Sequence, residues 1–224
     1  MTTRPPRPAT STDASLVTRV LVDAFHQDPM WGAWAFPDAA TRRQNRQLVF
    51  RLLVEGALRY RGVWLTADET ATAVWVPPGG TELSSQAEEQ IDALLRESLG
   101  PRSEVVLRAF DRFAEAQPSE PHHHLTLFGT DPAHQGRGHG QRLLRSNLHR
   151  LDAEDAPAYL EAADELVPLY ERFGFRVLHR FELDRGPTVN GMWRDPDRSC
   201  RRLRMSEESS GPWSPWSGPA TLAP

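Results

Sequence analysis

The chain has 224 residues, with 26 basic and 30 acidic side chains, a formal charge of −4 and an apolar fraction of 39%; this balance fits one soluble folded domain with no membrane segment and no basic stripe for nucleic acid. Every basic residue is an arginine, so a Walker-type phosphate loop, a protein kinase, a pyridoxal enzyme, a Schiff-base aldolase and a Ser-x-x-Lys hydrolase all lack their lysine. The single Cys200 leaves no partner for an intramolecular disulfide or a multi-thiolate zinc site and, with no apolar signal region at the N-terminus, the expected compartment is the cytoplasm and the expected partner a small molecule.

Residues 1–10, with Pro5, Pro6 and Pro8, and the Pro/Ser/Gly-rich tail 205–224 are expected to be poorly ordered, leaving one domain over 11–204. Leu16, Val17, Val20, Leu21, Ala24 and Phe25 recur at helical spacing behind a Thr12-Asp13 cap, and Asp28-Pro29 ends that helix. A second helix fits 39–60, with Leu48, Leu52 and Leu53 inward, Gly56 near its end, and Arg42, Arg43 and Arg46 on the wet side. The β-rich runs 62–66 and 70–76 read as a hairpin closed by Pro77-Pro78-Gly79-Gly80. Residues 84–116 are helical with a break at Gly100-Pro101. Strands then fit 124–130, 157–163, 175–183 and 188–194, with a glycine-rich turn and a helix after the first of them. The pattern is mixed α/β, which brings a ligand site to the carboxyl ends of the central strands, where the glycine turn lies.

That turn, Gln135-Gly136-Arg137-Gly138-His139-Gly140-Gln141, follows a strand and opens a helix bearing Leu143, Leu144, Leu148 and Leu151 on one face. First-turn N–H groups have no intrahelical acceptor and sit at the positive end of the helix dipole, so the segment is built for an anion; Arg137, Arg142 and Arg145 add charge. A merely structural turn is disfavoured, because three alternate glycines weaken a helix start. A dinucleotide turn fails on spacing, since its third glycine falls on Gln141 or Leu143.

The spacing Gln135-x-x-Gly138-x-Gly140 resembles the pyrophosphate loop of the GNAT superfamily of acyl-CoA N-acyltransferases. Leu169-Tyr170-Glu171-Arg172-Phe173-Gly174-Phe175 resembles that family's late helix-to-strand block, and Pro157-Ala-Tyr-Leu-Glu161 the strand before it. Blocks at Ala24-Phe25-x-x-Asp28-Pro29, Val63-Trp64, Ala73-Val74-Trp75 and Asp131-Pro132-x-His134-Gln135-Gly136 are similar to the puromycin N-acetyltransferase-like branch. The resemblance runs from about residue 13 to 194. It implies an α/β (α+β) fold: a central mixed, mostly antiparallel sheet with flanking helices and a V-shaped splay between the two central parallel strands. It also implies acetyl-CoA as cosubstrate in that splay, hydrogen-bonded by the backbone of Phe128, Gly129 and Thr130, with Gln135, Gly136, Arg137, Gly138, His139, Gly140 and Gln141 around the pyrophosphate.

The reaction so implied is direct attack of a neutral amine on the thioester. Tyr170 matches the family's general acid, with an ordinary pKa near 10 that keeps it protonated. Glu161, facing the cleft, is the first candidate for base or water-relay partner and His124 the second. The relatives' Asn four residues before the tyrosine is Leu166 here, which leaves Asp164 or Glu165 as substitutes. Asp28, Trp31 and Trp34, with Phe36, Trp64 and Trp75, suggest an aromatic-lined site for a flat or cationic amine. His122-His123-His124 is no metal site, because adjacent strand residues face opposite ways. Cys200 is an incidental thiol. The leading expectation is an acetyl-CoA-dependent N-acetyltransferase of a small-molecule primary amine, without metal, monomeric or homodimeric. A catalytically silent acyl-CoA sensor and a peptide N-terminal acetyltransferase are the alternatives.

Overall fold

The computed structural model describes residues 4–198; the tail 205–224, Cys200 and the end of the expected domain lie outside the described residues. Seven strands form one sheet in the order β1-β2-β3-β4-β5-β7-β6: β1 (Arg7–Pro8), β2 (Val63–Leu65), β3 (Ala71–Val76), β4 (His123–Thr130), β5 (Ala158–Ala162), β6 (Arg176–Glu182) and β7 (Thr188–Arg194). The β4–β5 pair is parallel, and the other five pairs are antiparallel. Within the proline-rich start, which the sequence suggested would be unordered, Arg7 and Pro8 pair with Leu65 and Trp64 at the sheet edge. The missing proline N–H is tolerated there because it needs no ladder partner.

The helix α1 (Ala14–Ala24) buries Val17, Val20 and Leu21. Asp13 does not cap it as Thr12-Asp13 suggested: its carboxylate accepts from the Thr10 N–H at 2.8 Å and is held bidentately by Arg7 at 2.8 Å. This pins the N-terminal segment onto the domain. The helix α2 (Arg42–Leu58) packs beside α1, and here the expected wet face is wrong at one position. Arg46 is buried, donating from Nη1 to the carbonyls of Phe25 at 2.8 Å and Trp31 at 3.2 Å. Those carbonyls come from the α1–α2 connection, which leaves its own helical ladder there and needs a donor. The helices α3 (Ser85–Leu99) and α4 (Ser103–Ala116) meet at the expected Gly100-Pro101 break.

Helices α1 to α4 share one core with Val63, Leu65, Val74 and Leu127 on one face of the sheet. On the other face, α5 (His139–Ala153) and α6 (Val167–Glu171) pack on Ala73, Trp75, Leu125, Leu160 and Met192. Leu125 and Leu127 are two apart, which in a regular strand gives one face, yet they enter opposite cores. The cause is a bulge: Trp75 pairs with Leu125 and Val74 with Leu127, so Thr126 is the extra residue of β4. A bulge bends its strand and strengthens the local twist. Pairing of β4 with β5 ends at the same place, Leu125 with Leu160, so residues 126–130 diverge from β5 and the sheet opens in a V. At the closed end, Arg194 on β7 forms a buried bidentate pair with Asp152 of α5 at 2.7 and 2.9 Å and donates to the Phe173 carbonyl at 2.9 Å, fixing the turn after α6.

Candidate active site

The V leads into two adjoining clefts. The first lies at the start of α5, where Gly136 and Gly138 take left-handed φ of +74° and +76°. Gly140 has a different reason to be glycine: a Cβ there would sit 2.6 Å from Thr130 Oγ1 and 3.1 Å from the Phe128 ring. The helix start therefore presses against the diverging strand. No side chain caps α5, so its first-turn amides stay available to a ligand, and Gln135 secures the loop by donating from Nε2 to the Thr130 carbonyl at 3.2 Å. This open cradle, about 610 Å³ up to its mouth, is lined by Phe128, Thr130, Gln135, Gly136, Gly138 and Gly140, with His139 and Gln141 beside them. His139 is partly committed, its Nδ1 lying 2.7 Å from Asp68 Oδ2. Arg137 accepts at its carbonyl from Arg142 Nη1, 3.1 Å away.

The second cleft, about 1130 Å³ up to its mouth, lies between β4, β5, the α1–α2 connection and α4. Phe128 lines both clefts. Tyr170 is brought to the second by α6, a single turn started by Pro168 and closed at Phe173-Gly174-Phe175, where Phe175 donates back to the Tyr170 carbonyl at 3.2 Å. Its ring packs edge-on against Phe175. Burial, with the charge of Asp28 nearby, pushes its hydroxyl pKa upward, so it holds its proton at any ordinary pH. Among the described residues the hydroxyl has no hydrogen-bond partner, and it faces the cleft.

Glu161 and His124, both candidates from the sequence, are joined: His124 Nε2 is 2.6 Å from Glu161 Oε2. The structure adds a third member, Glu82, whose Oε1 is 3.3 Å from His124 Nδ1 and accepts from Thr126 Oγ1 at 2.7 Å. Burial alone would disfavour a charged ring, but the two carboxylates outweigh it and lift the His124 pKa to about 10. This clamp favours the charged form of His124, which argues for Glu161 over His124 as the base. The same contacts, against the cost of burial, hold Glu82 below its usual pKa. Glu161 Oε1 is buried and makes no hydrogen bond of ordinary geometry, although the Tyr159 hydroxyl lies close enough for the Glu161 charge to help push its pKa up. Nothing in the sequence around Glu82 sets it apart from a solvated acid. One glycine does report on it: a Cβ on Gly56, in the last turn of α2, would lie 1.5 Å from the Glu82 carbonyl, so the glycine there lets the Glu82 loop approach.

Asp28 lines the cleft, and its Oδ1 accepts from the amides of Met30 at 2.9 Å and Trp31 at 2.7 Å. Burial pushes its pKa up. Trp31 also lines the cleft and packs on Phe50 and Phe110. Trp34 does not: its Nε1 donates to the Asp184 carbonyl at 3.1 Å and Arg102 lies over its ring. Trp64 and Trp75 point to the α5 face instead, Trp75 donating to Asn147 Oδ1 at 2.9 Å and Trp64 lying under Arg150. Asp164 is no stand-in for the missing Asn, because its carboxylate is taken by Asn190 Nδ2 at 2.7 Å. His122 shares a face with His124 and rests on Tyr159 and Trp193, while His123 points the other way, its Nε2 3.8 Å from Glu154.

With this geometry in hand, the chain can be set beside known proteins. Residues 88–192, which contain the bulge, the glycine cradle, Glu161 and Tyr170, match the family model described as Acetyltransferase (GNAT) domain. Among solved structures, one described as histone acetyltransferase HPA2 and related acetyltransferase from Corynebacterium glutamicum is similar at 24% identity and a TM-score of 0.65, over 88% of this chain and 98% of that one. A polyamine N-acetyltransferase of Drosophila melanogaster, which forms N-acetylagmatine, is similar at 16% identity and a TM-score of 0.57, over 85% and 98%. An N-acetyltransferase of Staphylococcus aureus follows at 12% and 0.52, over 85% and 100%. The fold is that of these acetyltransferases: a seven-stranded, mostly antiparallel sheet between helical layers. Among the described residues no helix is long and apolar enough to cross a membrane.

Proposed function

We propose that the protein is an acetyl-CoA-dependent N-acetyltransferase of the GNAT class that acts on the primary amine of a small molecule. The observation that carries this reading is that two clefts meet at Phe128, on the part of β4 that has left β5. One offers a capless helix start and glycines for a pyrophosphate; the other holds an acid with a raised pKa and a carboxylate oxygen that makes no hydrogen bond of ordinary geometry, with Phe128 between. The acyl thioester supplies an activated carbonyl and a sulfur leaving group. The unpaired edge formed by residues 126–130 can take the pantetheine arm as an added strand, with Phe128, Gly129 and Thr130 as its backbone partners. A first-turn anion site then holds the pyrophosphate, as the sequence resemblance implies for Gln135 to Gln141.

Glu161 receives the incoming ammonium at Oε1 and takes its first proton, directly or through water, while His124 stays charged and keeps the other oxygen fixed. As the new N–C bond forms and the C–S bond breaks, nitrogen gives up a second proton. Tyr170 protonates the departing sulfur and is reprotonated, so one proton is released per turnover. The sequence blocks that resemble the puromycin N-acetyltransferase-like branch favour an acceptor bulkier than a polyamine. In the experiment that tests this, thiol release from acetyl-CoA is followed against a panel of amines and aminonucleosides for wild type and Tyr170→Phe, beside calorimetric titration of CoA. Turnover that falls at least roughly tenfold in kcat with unchanged CoA affinity is expected from loss of a general acid. Micromolar CoA binding with no turnover of any amine would select the silent sensor, and no CoA binding would defeat both.

A further inference from the structure

We propose that the acceptor, granted the transferase reading, is a primary amine on an apolar, ring-sized body with no acidic group of its own. Charge is the first argument. The acceptor cleft is lined by three carboxylates, Asp28, Glu82 and Glu161, and by one imidazole, His124, already clamped between two of them. No arginine lines it among the described residues, although the chain has 26. Arg46, buried against the same loop, is spent on the carbonyls of Phe25 and Trp31. A carboxylate or phosphate on the acceptor would enter without a counter-charge, which buried sites reject strongly.

Satisfaction of the carboxylates is the second argument, and it places the ammonium. Asp28 turns Oδ1 onto two backbone amides, and Glu82 Oε1 is taken by His124 and Thr126. Glu161 Oε1 is the one carboxylate oxygen among the described residues that is fully buried and makes no hydrogen bond. An ammonium there satisfies it. The third argument is the wall. Phe25, Trp31, Leu53, Leu83, Phe110 and Phe113 form much of its apolar side, with Trp31 packed against Phe110. Aromatic and aliphatic surface of this extent gains most from an apolar body, which returns about 25 cal/mol per Å² it buries.

The test uses the full chain with acetyl-CoA and three probes matched in amine chemistry: 2-phenylethylamine, phenylalanine (which adds a carboxylate) and spermidine (which replaces the ring with further cations). We expect kcat/KM for 2-phenylethylamine to exceed that for phenylalanine by roughly 100-fold, the scale at which an unpaired buried charge discriminates, and that for spermidine by roughly tenfold. Gln117→Arg, which adds a cation at the cleft wall just after α4, should narrow the gap to phenylalanine by about tenfold. Phenylalanine or spermidine used as well as or better than 2-phenylethylamine overturns the inference and leaves the transferase standing. If nothing turns over, calorimetry of the CoA complex decides separately: binding of 2-phenylethylamine with rejection of phenylalanine supports the selectivity and sinks the transferase, whereas no preference sinks the selectivity.

Discussion

His124 is held as a cation by Glu161 at 2.6 Å and Glu82 at 3.3 Å, and the cost of that arrangement can be read in its pH dependence. The folded ring titrates at about 10 against 6.5 for a free one. Between those values the native protein keeps a proton that the unfolded chain has released, so the stability contributed by the ring is complete below about pH 6.5 and drains away as pH rises through about 10. Urea midpoints measured from pH 6 to 10 should therefore fall. Glu82→Gln, nearly isosteric, removes one of the two clamps and should cost roughly 1–3 kcal/mol at pH 7, as expected for a charged hydrogen bond, while flattening the decline. A Glu82→Gln variant with the wild-type slope would show that Glu82 does not hold the ring. Tyr170 carries the opposite kind of perturbation: burial keeps its hydroxyl neutral, so its role as proton donor does not switch within this range.

At the scale of elements, the site depends on places where one element is cut back so that another can approach. Gly56 in α2 is the clearest case. Alanine there would add up to about 1 kcal/mol of helix propensity in isolation, yet its Cβ would meet the Glu82 carbonyl at 1.5 Å. The backbone must yield, and the net effect of Gly56→Ala should be a loss of about 1–3 kcal/mol with a lower kcat, as Glu82 is pushed off His124, and an unchanged CoA affinity. Denaturation and calorimetry check both halves, and a variant as stable and active as wild type refutes the close approach. Most elements were legible because their signals are local: the 3.6-residue stripe of α1, the Gly100-Pro101 break, the glycine run opening α5 and the strand ending at Thr130. The bulge at Thr126 was not, because Leu125-x-Leu127 reads as ordinary alternation. Arg46 looked like one more wet arginine, since the carbonyls it serves lie about twenty residues back in the chain. Trp64 and Trp75 were drawn to the acceptor side by composition alone, and only the pleat assigns them to the α5 face. Tyr170 and Glu161 stand out in the sequence only through a resemblance in spacing, whereas the cradle glycines also stand out as a helix start suited to an anion. Glu82 lies outside residues 88–192 and has no such spacing.

For the whole molecule, the V in the sheet is a defect in the hydrogen-bond ladder, and this has a thermodynamic consequence. Residues 126–130 stay beside β3 but have no strand on the β5 side, and Phe128 there lines both clefts. A ligand that adds a strand there and also ties the start of α5 bridges both layers, and it binds only the folded chain. Such a ligand at 100 times its Kd stabilises by about 2.7 kcal/mol. For a domain of this size that corresponds to a rise in Tm of roughly 5–10 °C. We therefore expect saturating CoA to raise the melting temperature on this scale. Tyr170→Phe should show the same rise, because the hydroxyl works on the proton and not on the pyrophosphate. Gly140→Ala should lose most of it: a Cβ 2.6 Å from Thr130 Oγ1 forces the helix start away from the diverging strand and pulls the cradle out of register with the V. Differential scanning calorimetry of the three proteins with and without CoA separates the cases. An equal shift in wild type and Gly140→Ala would mean that CoA, if it binds, is held elsewhere than in the opening between β4 and β5.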